Sequence, residues 1–350
     1  MTSTFQLTHV LPTGVVFAVE PWWVQIIKGV IIALIGFTLI PAAVTIERKL
    51  LGRFQHRYGP NRAGPYGTLQ AGADILKLLG KENFRPSTSG GFLFYLAPML
   101  AVIAAVATFA IVPLGDVVTI FGQKVGLYGL DVGIGPLYAF ALGSIAFYGL
   151  VLGGFASGSK YSYLGAMRAA AQLISYEVAM GLALVGVIMQ TGSLSLVDIV
   201  HYQQTHLWFC IPQAVGFLIF VIASMAETNR APFDLVEADS EIVAGYMTEY
   251  GGGGFASFYA AEYLNMVVAG AIATTVFLGG WTIPFWDGAP PVLGPFVVLI
   301  KTMLFVVFFV WIRATLPRLR YDQLMSFGWK ILLPLATLNA LVTAIVVVAS

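Results

Sequence analysis

Charge is scarce in this chain, and so are the residues that hold metals. Of its 350 residues only 10% are charged, cysteine occurs once, at Cys210, and the four histidines are His9, His56, His201 and His206. One thiol rules out a disulfide within the chain. With no Cys-x-x-Cys pair, the sequence offers no iron–sulfur cluster or structural zinc site, and nothing in it points to a bound flavin. His201 and His206 flank a polar run, HYQQTH, which reads as a solvated loop rather than a metal site. The opening residues, MTSTFQLTHVLPTGVVFAVEPWW, lack the basic stretch of a secretory signal, so the first apolar helix is expected to remain in the mature protein. No internal repeat is visible. The formal net charge of +1 says little about partners, and no nucleic-acid partner is expected.

Hydrophobic residues dominate instead, at 58%, with 25 Phe among them. They fall in runs of about 20, the length a helix needs to cross a bilayer. Spans are expected near residues 24–46, 92–114, 134–156, 168–190, 207–226, 255–279, 292–315 and 329–349. The expected fold is therefore all-α: a polytopic integral membrane protein of eight transmembrane helices, with an amphipathic surface helix and a long acidic cytoplasmic loop. Residues 1–350 then form a single transmembrane helical domain. Fifteen of the 18 Lys and Arg residues lie on the odd-to-even connections or at the span ends that flank them, eight of them in the first connection. The positive-inside rule places those connections in the cytoplasm and both termini on the opposite, periplasmic side. Lys28 and Lys301 sit near outer helix ends, where they can snorkel, and Lys124 stands alone in the outer loop IFGQKVGLYG.

Against this background the acids stand out. Between Glu227 and Glu262 the chain carries Glu227, Asp234, Glu237, Asp239, Glu241, Glu249 and Glu262. Either this is a solvated acidic loop, or it is an ion or proton path lined by protein and water, since carboxylates beside lipid are costly. Apolar residues between the acids, Phe233, Leu235, Val236, Ile242, Val243 and Tyr246, argue for packing. Pro232 and the run Gly251 to Gly254 admit broken or re-entrant backbone. Glu177 and Glu262 fall inside expected spans, both in the cytoplasmic half. Nearby Ser175, Tyr176, Tyr259 and Tyr263 could satisfy them as simple interhelical glue; two acids at similar depth beside an acidic loop equally suit a proton-exchanging cluster. In the first basic connection, TLQAGADILKLLGKE reads as a helix of about four turns along the membrane surface, either anchoring in lipid or folded back on the bundle. In the second case Asp74 can face the protein interior.

Several long motifs carry a resemblance. The chain resembles, over nearly its whole length, the family of the quinone-site membrane subunit of respiratory complex I, the bacterial proton-pumping NADH:quinone oxidoreductase, and its mitochondrial counterpart. The family's two signatures look like GPYGTLQAGADILKLLGKE and AETNRAPFDLVEADSEIVAGY, with further matches at ERKLLGRFQHRYGPN, GSKYSYLGAMRAAAQLISYE, AEYLN and WIRATLPRLRYDQLMSFGWK. One departure is visible: Glu237-Ala-Asp-Ser-Glu241 stands where the family often has Glu-Gly-Glu-Ser-Glu. The resemblance implies an eight-helix bundle and a tunnel from the bilayer to a quinone headgroup site shared with peripheral subunits. It implies tunnel roles for Glu47, Arg48, Arg57, Phe233 and Arg313, where juxtamembrane arginines on their own would suggest no more than lipid-headgroup binding. It likewise makes Asp74, Glu177, Glu227, Asp234, Glu237, Asp239, Glu241 and Glu262 a path coupling quinone reduction to proton translocation. The substrate would be ubiquinone or menaquinone. FMN and iron–sulfur clusters are expected on partner subunits, and the partners are those peripheral subunits, the antiporter-like membrane subunits and membrane lipid. An Ala- and Gly-rich composition favours the bacterial inner membrane over the mitochondrial one. Two other readings stay open: the equivalent subunit of a membrane-bound hydrogenase or a ferredoxin- or formate-linked complex, and a stand-alone proton-coupled transporter, which intramembrane acids would also serve.

Overall fold

The computed structural model describes residues 22–120, 123–236, 242–284, 286 and 290–349. Its first helix, α1 (Trp22–Phe54), has 33 residues. At 1.5 Å per residue that is about 50 Å, well beyond the roughly 30 Å hydrocarbon layer. The surplus is the segment from Glu47 onward, expected to be a connection but rich in Leu, Lys and Arg, which propagate a helix well. Glu47 and Arg48 thus project from a rigid helix end. Pro41 inside α1 and Pro98 inside α3 (Gly91–Phe109) are of a kind that neighbouring helices support in membrane bundles. Between them, α2 (Gln70–Leu79) is ten residues long, shorter than the four turns expected, and lies against α1 and against the later helix α8 (Gly252–Phe277). It is folded back on the bundle while Leu69, Leu76 and Leu79 stay exposed.

After α3 the chain forms a hairpin of β1 (Pro113–Ile120) and β2 (Gln123–Tyr128), paired antiparallel with Val118 opposite Val125. This segment was expected to be plain loop; its strands, with Val117, Val118 and Val125, are too short to stand out beside apolar helices. α4 (Gly135–Ala156) and α5 (Lys160–Thr191) follow, then α6 (Leu196–Thr205), whose start is capped by the Ser195 hydroxyl accepting from the amides of Val197 and Asp198. His201 therefore lies on a helix and not in a loop. The expected span 207–226 materialises as turns followed by the 14-residue α7 (Ala214–Glu227). That is too short to cross a bilayer unaided. Beyond α8 come α9 (Gly294–Thr315), the short α10 (Tyr321–Phe327) and, through a π-helical stretch, α11 (Leu333–Ala349). Among the described residues seven helices are long and apolar enough to span a membrane, with α10 and α11 counted as one. The molecule is an all-α polytopic membrane protein.

α8 is the most enclosed of these helices and α11 the least. Close approach around α8 depends on small residues: a Cβ on Gly153 of α4 would come within 2.9 Å of the Phe258 ring, and one on Gly149 within 2.8 Å of the Ala97 carbonyl. The four glycines expected to break the backbone instead open α8, with Gly251 as its N-cap and Gly252 at φ +50°.

Candidate functional site

At one end of the bundle α1, α8, α9 and the loop after α7 meet on one carboxylate. Glu47 is 3% exposed. It accepts from Arg230 Nη1 at 3.3 and 3.2 Å through its two oxygens, from the Tyr263 hydroxyl at 2.7 Å, and from Arg313 Nη1. Arg230 is itself buried, at 5% exposure, and lies over the Tyr263 ring at 4.1 Å. Its Nε forms an ion pair with Glu262 Oε1 at 2.7 Å. Tyr263 also shares a hydrogen bond with Tyr259 at 3.1 Å between hydroxyls. Two carboxylates and two guanidinium groups therefore neutralise one another, with only Arg313 still about a third exposed, the condition under which buried charge is tolerated.

The loop that delivers Arg230 is held from several sides. Gln172 of α5 donates to the carbonyls of Ala226 and Phe233 at 2.7 and 2.8 Å. Pro232 O accepts from Leu319 N at 3.1 Å, and the Phe233 ring packs against Tyr176. Phe233 is buried as part of this support. Asp234 lies 3.9 Å from Arg318.

A second group of acids sits beside the first. A cavity of about 90 Å³ is lined by Glu227, Asn229, Tyr246, Glu262 and Asn265, and continues along α8 between apolar residues of α4 and α5 as far as Ile272. That volume and its polar end have room for a few waters. Glu227 Oε1 lies against Gly143, where an added Cβ would be 3.4 Å away, and Glu177 receives a long 3.4 Å hydrogen bond from Ser144. Glu177 and Glu227 are near enough to act electrostatically on each other.

Asp74, on the surface helix α2, keeps different company. It is bound by Arg48 from the end of α1 and by Gln70 at 3.0 Å. Partial burial pushes its pKa up, but the bonds from Gln70 and Arg48 and the charges of Arg48 and Lys77 outweigh this and hold it below the usual carboxylate range. Arg57 is exposed and donates to Gln55 at 2.7 Å, away from the Glu47 cluster. Glu237, Asp239 and Glu241 lie outside the described residues.

Comparison with known proteins gives the family. A family model described as NADH dehydrogenase matches residues 27–344. An NADH-quinone oxidoreductase H subunit of Geobacter sulfurreducens is 52% identical, over 91% of this chain and 95% of that protein. The NADH-quinone oxidoreductase H subunit of Thermomicrobium roseum is 47% identical over 89% and 95%, and NADH-quinone oxidoreductase subunit 8 of Thermus thermophilus 46% identical over 95% and 89%. The chain belongs to this family.

Within the family frame, Glu47 and Arg313 were expected on the quinone side and Glu262 on the proton side, and one ion cluster holds all three. Arg230 was not foreseen as its centre. In sequence it is one basic residue in a connection, 183 positions from Glu47, and the only hint is a lone cation inside an acid-rich apolar stretch. Tyr263 was noted as a possible partner for Glu262; its hydroxyl bonds Glu47 instead.

Proposed function

We propose that this chain is the membrane-arm subunit of a proton-pumping NADH:quinone oxidoreductase that forms much of the quinone access tunnel and begins the acidic path through which quinone reduction drives proton translocation. The observation that carries this reading is the junction at Arg230, which binds both Glu47, at the tunnel end, and Glu262, on the wall of the acid-lined cavity. Arg48 and Arg313 then line the tunnel with Glu47 and Phe233, and Arg57 guides from its exposed approach. Guanidinium groups suit such a place, because they stay charged, stabilise negative charge on a reduced ring and stack on flat surfaces. Glu177, Glu227, Asp234 and Glu262, with Glu237, Asp239 and Glu241 in the same loop and Asp74 at the mouth, make the proton path.

The substrate is a membrane quinone of the ubiquinone or menaquinone type. Partner subunits supply FMN, iron–sulfur clusters and the remaining headgroup contacts, and antiporter-like membrane subunits continue the path. The location is the bacterial inner membrane, with both termini periplasmic and the chain a single domain. The relatives, matched over nine-tenths of the chain under the quinone oxidoreductase name, favour this over a hydrogenase-type subunit or a stand-alone transporter. Arg48→Ala tests the tunnel in the intact complex: quinone-site inhibitor affinity should fall about tenfold, the loss of one charge-assisted contact. Unchanged affinity would remove Arg48 from the tunnel. Glu177→Gln tests the path: coupled quinone reduction should drop while NADH oxidation by an artificial acceptor persists, and wild-type pumping would end that assignment.

A further inference from the structure

The end of the bundle away from Glu47 holds a cleft that none of the chemistry above uses. Its volume is about 690 Å³, inside the range of about 300–1,000 Å³ common for small-molecule sites. The helix α9 fixes its level, because Gly294 at the start of α9 lines the cleft while Arg313 near its end reaches Glu47. At 1.5 Å per residue the two lie about 28 Å apart, close to the roughly 30 Å hydrocarbon layer. The cleft is therefore at the opposite membrane–water boundary, and Trp208, Trp281 and Trp286 line it, as tryptophans do at such boundaries. Its mouth is apolar: Leu207 and Ile211 are lining residues that stay exposed. From there the exposed side chains of Phe296, Ile300 and Leu304 descend α9 at four-residue spacing, which keeps them on one face. A polar-floored cleft that opens onto an apolar stripe matches a phospholipid, headgroup in the cleft and acyl chain along the helix.

The charges of the cleft say which headgroup. Among the described residues Asp116 of β1 is the only carboxylate that lines it, and no Lys or Arg does. Asp116 Oδ1 accepts from the Val117 amide at 2.7 Å, and His201 Nε2 stands 3.9 Å from that oxygen, beyond hydrogen-bond reach. Oδ2 has no hydrogen-bond partner among the described residues, so an acceptor with a negative charge is left open to the cleft. Neutral donors accompany it. Gln204 meets His201 Nδ1 through its Oε1 at 3.1 Å, which leaves the amide Nε2, and Trp208 brings its indole Nε1. We propose that this cleft binds the headgroup of phosphatidylethanolamine from the leaflet at that end. The ammonium donates to Asp116 Oδ2 and lies against the exposed Trp286 ring, the phosphate accepts from Gln204 and Trp208, and an acyl chain follows the α9 stripe. Trp208 already shows the cation–ring pairing, with the Lys301 ammonium 4.4 Å from its ring centre. An anionic headgroup would bring nothing to match Asp116. A choline headgroup carries the charge but no N–H for Oδ2. The bound lipid joins the β-hairpin to the end of α6 and the start of α9, whose residues form the walls.

The test uses the intact complex in nanodiscs, with a phosphatidylethanolamine probe that carries a photoreactive diazirine in its acyl chain. Illumination should attach the probe to peptides of this chain that contain Ile211 or Ile300. Unlabelled phosphatidylethanolamine should displace it at about tenfold lower concentration than phosphatidylglycerol or phosphatidylcholine, the worth of one charge-assisted hydrogen bond. Asp116→Asn should erase that preference, and Asp116→Lys should turn it toward phosphatidylglycerol. Equal displacement by either competitor in the wild type overturns the proposal, and so does a wild-type preference that survives in Asp116→Asn. Absence of label at both sites overturns it too, since that is the result a partner subunit seated in the cleft would give. Should the Asp116 variants fail to assemble, the displacement series on the wild type decides alone. The quinone and proton readings stand or fall separately, because their residues lie at the other end of the bundle.

Discussion

Two groups of acids lie side by side in this bundle and are treated in opposite ways. Glu47 and Glu262 are locked to Arg230 and Arg313, while among the described residues no cation pairs with Glu177 or Glu227, whose nearest named neighbours are Ser144, Gly143 and each other. The first group fixes geometry. The second can change charge without breaking a salt bridge, as a proton path requires, and Glu262, which is ion-paired to Arg230 and also lines the cavity with Glu227, stands at the border between the two.

The largest effect should come from breaking the locked group. Glu47→Ala leaves two guanidinium groups without their common partner, and removing one member of a buried ion network costs about 3–5 kcal/mol. Subunit levels in membranes and assembly on native gels should both collapse; normal assembly would mean that the cluster is not a structural joint. Glu227→Gln attacks the other group and should do the reverse. A neutral isostere loses no ion pair, so assembly should match wild type. If Glu227 belongs to the proposed proton path, coupled quinone reduction should nevertheless fall about tenfold or more. Equal losses of assembly in the two variants would erase the contrast.

A milder probe is Tyr263→Phe. It removes one neutral donor from Glu47 and keeps the ring beneath Arg230, so stability should fall by about 1.5–3 kcal/mol, read as a lower thermal midpoint of the purified complex. A midpoint unchanged from wild type would show that the two arginines satisfy Glu47 alone.

How much of this was legible in sequence follows from the range of each interaction. Apolar runs announced nearly every spanning helix, because twenty successive residues answer to one solvent. Glu177 and Glu262 were legible as acids inside spanning helices from their position in those runs. The β-hairpin was misjudged, since a brief strand scores like a loop, and the span expected at 207–226 opens with turns before the short α7. Arg230 was hidden for another reason. Its meaning lies in residues 47, 262, 263 and 313 at once, and no local pattern records which helix ends converge.

The smallest effect sharpens the comparison by moving a locked pair to the surface. Asp74 and Arg48 have side chains 31% and 44% exposed, so solvent screens them, and Asp74→Asn should cost less than about 1 kcal/mol. Its pH dependence is nonetheless informative. The Asp74 pKa is held down in the folded protein, so the pair's contribution is fully present above the ordinary aspartate value of about 3.9 and is lost only as pH falls through the lowered one. A spin label at the exposed Leu76→Cys position, in a Cys210→Ser background, reports how firmly α2 is held. Its mobility should stay constant down to about pH 4 and rise only below that. With Asp74→Asn added, the label should already be more mobile at neutral pH. A rise centred above the ordinary aspartate value would mean that Arg48 does not hold α2, and that only the buried cluster, not the surface pair, ties the end of α1 to the rest of the bundle.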